Sequence, residues 1–452
     1  MDGSMSRRFA VCGLTGLLSL GLAACSGSDS SGVGKDGVVT ISVNGMPPKT
    51  QALDRKWFEQ DVKAFEKSHP KINIEAHEGQ MNPQTFSAKL AGGQLEDVYY
   101  VYFTDPAVLI ARGQAADITP HLEGVPYVKD VKPEFRKIFT GPDRKVYGLP
   151  NGQYSLGLVY NRALFKKAGL DPDKPPATWG EVRAAAKKIT ALGDGTVGYA
   201  DYSKNNQGGW HLTSWIYSMG GDVAVKDGNK WTSAVDGPAA RKALTMLHDM
   251  RFTDDSMGSR QLLEIADAQK MMGAGKLGMY MAGPDNLPTI VKQFDQKYAD
   301  FGVAPMPGGK ATLGGGNGFM FNPKASPQKI KAGIQWVQWK YLNPDRKAFE
   351  SKRASHSDVP IGLPLDHLFG GAAADTWDAA EKKYANVPQG NYTSFVKGND
   401  QLEQKVEPPN AQQIYAELDK VMQAVLTKKN ANIDSLLATA DKKINTILAA
   451  AK

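Results

Sequence analysis

Cysteine is nearly absent from this sequence. Among 452 residues there are two cysteines, Cys12 and Cys25, and both fall within the first 25 positions. Disulfide frameworks, zinc sites built from cysteines and a catalytic thiol are therefore excluded from the rest of the chain.

The common motifs of catalytic chemistry are also missing. The seven histidines are scattered, with no pair at the spacing of helical metal ligands, and there is neither a G-x-x-x-x-G-K-[ST] phosphate loop nor a G-x-S-x-G elbow. We therefore expect no metal, no cofactor and no enzymatic activity. A pair of glycosidase carboxylates is not excluded by these absences, because such a pair is defined by proximity in space rather than by spacing along the sequence.

Dense basic segments are missing too. The chain carries 54 Lys and Arg against 47 Asp and Glu, a net charge of +7, but the excess is spread along its length. This pattern argues against a nucleic-acid partner and only weakly for an anionic surface nearby. A content of 41% hydrophobic and 22% charged residues is ordinary for a folded protein, and the length predicts two globular domains.

The N-terminus has the pattern of an export signal. Two arginines precede an apolar run over residues 10–24, which is too short to span a bilayer comfortably but suits a signal peptide. The tetrapeptide Leu22-Ala23-Ala24-Cys25 is similar to a bacterial lipobox, in which the cysteine is lipidated and becomes the first mature residue. We predict a signal peptide over 1–24, a lipidated Cys25 and a flexible tether over 25–37. A plain cleaved signal and an apolar helix with a chance cysteine are the alternatives.

Strand and helix patterns alternate from residue 38 onward. Short β-branched or aromatic runs at 38–43, 72–75 and 98–101 predict strands, and amphipathic stretches between them predict helices. This alternation predicts an α/β fold in which helices flank parallel-type sheets, with a ligand crevice beyond the carboxyl ends of the strands. The residues at those ends are Asn44, Gln80, Phe103, Thr104 and Asp105.

The second half continues the same pattern. Thr178 and Glu181 form a capping box at the start of a predicted helix. Residues 327–342, preceded by a cap at Ser326, and residues 410–427 and 433–450 are predicted as long helices. The glycine-rich run over 314–318 precedes a predicted strand rather than a helix, so it is not a nucleotide fingerprint. We expect the backbone to approach another group closely there.

Four groups of short stretches form an ordered set along the chain. They are FEKSHPKINIE at 65–75; ARGQAADITP at 111–120; YGLP at 147–150 with YNRALF at 160–165 and PATW at 176–179; and GKLGM at 275–279 with GP at 283–284. Together they resemble the carbohydrate-binding family of extracellular solute-binding proteins of bacterial ABC importers, the family that includes maltose-binding protein.

This resemblance implies two α/β lobes joined by a hinge of crossing segments near 150–154, 316–318 and 359–364. Lobe 1 is expected to comprise 38–150 and 318–358, and lobe 2 to comprise 151–317 and 359–452. The resemblance also implies a monomer that captures a sugar, of di- or oligosaccharide size, at the outer face of the cytoplasmic membrane. Its partners would be two membrane permease subunits with a separate ATPase.

The resemblance nominates ligand contacts on the second lobe and the hinge. Trp210 aligns with a sugar-stacking aromatic of the family, and Tyr154 falls at the first crossing. Asp285 occupies the position of another family aromatic, which replaces stacking with hydrogen bonding to hydroxyl groups and casts doubt on a maltodextrin-type subsite. The further candidates are Asn286, Gly316, Asn317 and Tyr415. Trp210 and Tyr415 have a helical core position as the alternative.

On the first lobe, the candidates are the strand-end residues Asn44, Phe103, Thr104, Asp105 and Gln80, together with Gln84. A role as helix cap is the alternative for Asp105. Two other functions stay open at this point. One is binding of a non-sugar solute such as a peptide, polyamine or metal chelate, and the other is a lipid-anchored secreted hydrolase.

Overall fold

The structure is a computed structural model that describes residues 33–34, 36–79, 83–228, 230–357, 359–365, 367–399 and 401–449. The predicted signal peptide, Cys25, most of the tether and Gln80 lie outside the described residues. Within the described part, no helix combines the length and the apolar character needed to cross a membrane.

The strands lie in two larger sheets and one hairpin. In chain order they are β1 (Val39–Met46), β2 (Ile72–Glu78), β3 (Val98–Tyr102), β4 (Gly148–Ser155), β5 (Gly157–Asn161), β6 (Val197–Ala200), β7 (Ala224–Asp227), β8 (Lys230–Ser233), β9 (Leu277–Ala282), β10 (Phe301–Ala304), β11 (Ala311–Phe321) and β12 (Glu403–Lys405).

The α-helices cover these sheets. They are α1 (Ala52–Ser68), α2 (Pro83–Ala91), α3 (Pro106–Ala111), α4 (Pro133–Ile138), α5 (Arg162–Lys167), α6 (Trp179–Thr190), α7 (Gln207–Ser218), α8 (Pro238–Phe252), α9 (Ile265–Gly273), α10 (Leu287–Phe294), α11 (Pro327–Tyr341), α12 (Lys347–Ser355), α13 (Gly371–Tyr384), α14 (Thr393–Asn399), α15 (Ala411–Thr427) and α16 (Ile433–Ala449).

Local sequence explains several helix starts. The predicted capping box is present, since the Thr178 side chain accepts a hydrogen bond from Glu181 N and the Glu181 carboxylate accepts one from Thr178 N. The Ser326 hydroxyl accepts from Lys329 N at the start of α11, where Pro327 fits the first turn. These caps satisfy backbone donors that would otherwise be unpaired.

The first sheet has the order β12-β11-β3-β1-β2, and β4 also pairs with β11. Strands β1, β2 and β3 run parallel as predicted, whereas β11 is antiparallel to both β3 and β4. The second sheet has the order β10-β5-β9-β6, in which only the β6–β9 pair is parallel. The mixed α/β class is confirmed, with more antiparallel pairing than strand–helix alternation indicates.

Two strands connect the hydrophobic cores of the two sheets. At one end of the paired β4 and β11, Leu149 and Phe319 belong to the core of the first sheet. At the other end, Leu313 and Leu156 belong to a core of the second sheet. The paired strands β4 and β11 therefore extend from one core towards the other.

Four details differ from the sequence-based expectation. Asn44 lies within β1 rather than after it, and the glycine run 314–318 lies inside β11 rather than before a strand. Helices α12 to α14 fill a stretch whose pattern predicted irregular structure. Leu368, Phe369 and Ala373, which the predicted boundaries assign to lobe 2, pack in the core of the first sheet.

Candidate ligand-binding site

A pocket of about 410 Å³ lies between the two cores, and we refer to it as the cleft pocket. Its size falls in the range of small-molecule sites. The residues lining it are Tyr102, Thr104, Tyr154, Asn205, Asn206, Gln207, Trp210, Gly316, Asn317, Glu407, Gln412 and Tyr415. Five residues proposed from the family resemblance (Tyr154, Trp210, Gly316, Asn317 and Tyr415) and one strand-end residue (Thr104) thus come together here.

Trp210 is positioned by the packing of α7 against α15. Asp419 of α15 accepts hydrogen bonds from the backbone N–H of Asn206 at 2.9 Å and of Gly209 at 3.1 Å, where α7 begins. A Cβ atom on Gly209 would lie 2.1 Å from the Tyr415 carbonyl oxygen, so only glycine allows this approach. The indole is thereby held at the N-terminal turn of α7, where it faces the pocket.

Tyr154 and Trp210 form one aromatic wall. Their ring centroids are 6.3 Å apart with an interplanar angle of 75°, an edge-to-face arrangement. Burial raises the pKa of the Tyr154 hydroxyl well above its usual value, and the nearby charges of Glu407 and Asp285 raise it further. The phenol is therefore a neutral hydrogen-bond donor and acceptor at physiological pH.

The glycine run makes room for this wall. A Cβ atom on Gly315 would lie 2.3 Å from the Tyr154 ring, and one on Gly316 would lie 2.6 Å from the ring of Phe103. The close approach predicted from the sequence is therefore confirmed, and the group approached is a pair of aromatic side chains.

Glu407 is the carboxyl group of the cleft pocket. One of its oxygens accepts a hydrogen bond from the Tyr415 hydroxyl at 2.8 Å. Burial raises the pKa of the Glu407 carboxyl to about 7; the Tyr415 hydrogen bond opposes this effect and the charge of Asp105 adds to it. Tyr415 is itself almost fully buried, so it both packs in the core and lines the pocket.

Asp105 lies beside this pocket on the first-sheet side. Its side chain accepts a hydrogen bond from the backbone N–H of Tyr102 at 2.8 Å and does not cap α3, so the capping expectation is wrong. Burial raises the pKa of its carboxyl to about 6, against hydrogen bonds from Tyr102 and Thr104. Asp105 and Thr104 line a smaller adjoining pocket with Gln412.

Asp285 and Asn286 differ in their surroundings. Asp285 is exposed to solvent. The protein around its carboxyl group nevertheless removes part of the hydration, and this raises the pKa of the carboxyl. Its charge acts on Tyr154, which places it near the aromatic wall. Asn286 is buried, and its side-chain oxygen accepts a hydrogen bond from Gln269 Nε2 at 2.9 Å.

Two further candidates, Asn44 and Phe103, do not line the cleft pocket. Asn44 is buried and donates a hydrogen bond to Glu96. Phe103 packs on Phe135 and Phe139 in the core of the first sheet. Gln84 belongs to α2, and Gln80 lies outside the described residues.

Six lining residues were missed by sequence reasoning. They are Tyr102, Asn205, Asn206, Gln207, Glu407 and Gln412. One signal was available: three consecutive amides directly precede Gly208-Gly209-Trp210. Glu407 lies on an irregular segment that the α7–α15 contact brings to the cleft, and no local pattern indicates this.

A buried carboxylate, that of Asp201, also anchors α7 through hydrogen bonds. Asp201 is fully buried and accepts hydrogen bonds from Trp215 Nε1 at 2.7 Å and Tyr199 Oη at 2.9 Å. Its other oxygen lies 2.6 Å from His211 Nδ1, and His211 follows Trp210 in the chain. This network anchors the helix that carries the aromatic wall.

A second pocket, of about 470 Å³, lies along α1, α11 and α12 and contains a group we call the Asp61 cluster. Asp61 is 2% exposed, and its carboxylate accepts hydrogen bonds from Lys340 Nζ at 2.7 Å, Arg353 Nη1 at 2.8 Å and Arg346 Nη2 at 3.1 Å. Burial would raise the pKa of Asp61, but the charges and hydrogen bonds of Lys340 and Arg353 outweigh it and lower the pKa. The negative charge of Asp61 is therefore compensated by cations of the protein itself.

The fold and the cleft define a bacterial solute-binding protein. The profile of the family described as bacterial extracellular solute-binding protein matches residues 50–344, and this chain belongs to that family. A Thermotoga lettingae solute-binding protein of an ABC transporter, solved with α-D-tagatose, superimposes with a TM-score of 0.69. The superposition covers 90% of this chain and 99% of the Thermotoga protein, and the two sequences are 21% identical.

Two curated proteins are related to this chain in sequence. The multiple sugar-binding protein of Streptococcus mutans is 25% identical over 341 residues, which is 74% of this chain and 78% of that protein. A Brucella abortus protein described only as a binding protein is 30% identical over 261 residues. This match spans 56% of the present chain and 60% of the Brucella protein.

Proposed function

We propose that this chain captures a sugar of di- or oligosaccharide size between its two lobes outside the cell and delivers it intact to an ABC permease. The observation that carries the proposal is the composition of the cleft pocket. Tyr102, Tyr154 and Trp210 offer aromatic faces, and Asn206, Gln207, Asn317 and Gln412 surround them with planar amides. Aromatic faces suit the apolar C–H face of a sugar ring, and amides suit its rim of hydroxyl groups.

Binding would act through the equilibrium between open and closed forms. The hinge would comprise the crossing segments near 150–154, 316–318 and 359–364, with the lobe boundaries given above apart from the segment 368–373. Because a ligand contacts both lobes only in the closed form, binding favours closure by its difference in affinity for the two forms. A permease of two subunits with a separate ATPase would then recognise the closed form.

The remaining elements of the proposal concern the membrane. Removal of residues 1–24 would leave Cys25 as a lipidated N-terminus that holds a monomeric protein at the outer face of the cytoplasmic membrane. Intact-mass analysis of the membrane fraction, compared with a Cys25→Ser variant, tests this part. A soluble, unlipidated mature form of the unaltered chain would contradict it.

Thermal melting against a panel of neutral mono-, di- and oligosaccharides tests the central proposal. A sugar that binds the folded state raises the Tm in a concentration-dependent manner. Chromatography of the recovered sugar should show it unchanged, whereas new products would indicate a hydrolase. Stabilisation by peptides, polyamines or metal chelates but by no sugar would replace the proposal with the non-sugar alternative.

A further inference from the structure

The cleft pocket has an unusual charge balance for a chain with a net charge of +7. One carboxyl group, that of Glu407, lines it, and two more from other segments, Asp105 and Asp285, act electrostatically on residues that line it. Glu407 lines the pocket, Asp105 acts electrostatically on Glu407, and Asp285 and Glu407 both act on Tyr154. Among the described residues that line this pocket there is no Lys or Arg.

Neither of two cations near these carboxyls forms an ion pair with them in the described part of the chain. Lys405, two positions before Glu407, binds Asp222 at 2.7 Å and lies over the ring of Tyr217. Arg112 lines the adjoining pocket with Asp105, but burial still raises the pKa of that carboxyl and no cation opposes the shift. The same holds for Glu407, whose described hydrogen-bond donor is the neutral Tyr415 hydroxyl.

Burial of the Glu407 carboxylate without a cation is unfavourable, because the hydrogen bond from the neutral Tyr415 hydroxyl replaces only part of the hydration that the ionised form loses. A ligand that brings a positive charge offsets this cost, while a neutral ligand leaves it in place and an anionic ligand increases it. The charge-assisted hydrogen bond from an ammonium group to a carboxylate is also stronger than one from a hydroxyl group. The aromatic wall of Tyr154 and Trp210 adds a favourable surface for a cation.

We infer that the cleft pocket selects sugars by charge: it takes a sugar that carries a basic amine, with Glu407 as the group that binds the ammonium, and it rejects phosphorylated and uronic sugars. This inference rests on the proposed function and specifies its substrate class. Glu407 is the specificity-determining residue, because it is the carboxyl that lines the pocket directly.

Matched pairs of sugars test the inference at pH 7. The pairs are D-glucose with D-glucosamine, D-galactose with D-galactosamine, and cellobiose with the unacetylated disaccharide of glucosamine. D-glucose 6-phosphate and D-glucuronate serve as anionic probes. Calorimetric titration of the full chain should show an amine preference of about tenfold within at least one pair, and no binding of the anionic probes.

Two variants separate the site from general electrostatics. Glu407→Gln should reduce the amine preference to about twofold or less, since it removes the charge and keeps the shape. Glu403→Gln is the matched control, because Glu403 is an exposed carboxylate close by in the chain that does not line the pocket. It should leave the preference as it is in the unaltered chain.

The outcomes distinguish this inference from the proposed function. If neutral sugars bind and their amino counterparts bind equally or more weakly, sugar capture stands and the inference is overturned. Retention of the full amine preference by Glu407→Gln also overturns it. If neither neutral nor amino sugars bind, the proposed function fails and the inference fails with it.

Discussion

The Asp61 cluster and the cleft pocket bury carboxyl groups in opposite ways. Asp61 is surrounded by Lys340, Arg346 and Arg353, and their positive charges hold its pKa below the usual value. Glu407 has a tyrosine hydroxyl as its described donor, and burial holds its pKa near 7. A carboxylate that is paired with cations of the protein, such as Asp61, stabilises the fold. A carboxylate that has no such cation, such as Glu407, is available to bind a ligand. Substitutions should therefore affect stability in the first region and binding in the second.

The largest effect is expected at Asp61. Asp61→Ala leaves three cations facing a buried site with no carboxylate, and removal of one partner from a buried charge network typically costs about 3–5 kcal/mol. Denaturant unfolding at pH 7 measures the loss. Lys63→Gln, on the exposed side of the same helix, is the control and should change stability by less than about 0.5 kcal/mol. Equal stabilities for the two variants would show that the cluster is not compensated as described.

The glycine run provides a test in which packing and binding are coupled. In Gly315→Ala the new Cβ would overlap the Tyr154 ring, and overpacking of this kind costs about 1–3 kcal/mol of stability. Displacement of that ring should also weaken sugar binding. Gly390→Ala, where a Cβ meets nothing within 4 Å, is the control for both unfolding and titration. Unaltered affinity in Gly315→Ala would mean that Tyr154 does not contact the sugar.

Removal of the aromatic wall should affect binding more than folding. Trp210→Ala is expected to weaken sugar affinity by about 1–3 kcal/mol, the usual loss for one stacked and buried aromatic. Titration with the sugar identified by melting measures it. Trp231→Ala, on the β7–β8 hairpin away from the cleft pocket, should bind as the unaltered chain does. If both variants bind normally, Trp210 is a packing residue.

The smallest effect is expected in the pH dependence of folding stability, and the direction of that dependence is opposite in the two regions. The pKa of Glu407 is higher in the folded state than its ordinary value of 4.5, so the folded state binds more protons and stability falls as the pH rises from about 4.5 to about 7. The pKa of Asp61 is lowered, so its contribution is present above pH 3.8 and is lost as the pH falls below that value.

Unfolding of Glu407→Gln across this range measures the first contribution. The titratable groups that interact with Glu407 are Tyr415, Asp105, Tyr154 and Tyr217, and of these only Asp105 titrates in the same window. The variant should gain on the order of 1 kcal/mol relative to the unaltered chain between pH 5 and pH 8, after allowance for solvent screening. A difference that does not change with pH would show that Glu407 is not held in its neutral form.

Local patterns predicted the elements of this fold well where each element carries its own signal. The capping box at Thr178, the Ser326 cap and the β-branched run of β1 depend on residues a few positions apart, and the structure confirms all three. The stretch from 347 to 399 was not predicted as helical, because its helices combine weak amphipathic patterns with glycine and alanine. Their stability comes from packing rather than from intrinsic preference.

The sequence by itself determined the α/β class, the close approach at the glycine run and the aromatic residue around which the candidate site is built. The first two follow from spacing and backbone geometry, whereas Trp210 was nominated by the family resemblance. Only the tertiary structure decided that Asn44 and Phe103 are buried in the first core, and that Glu407 meets Asp105 and Tyr154. The charge of a pocket is a sum over side chains that are hundreds of positions apart in the chain, so it exists only once the strands and helices have brought those side chains together.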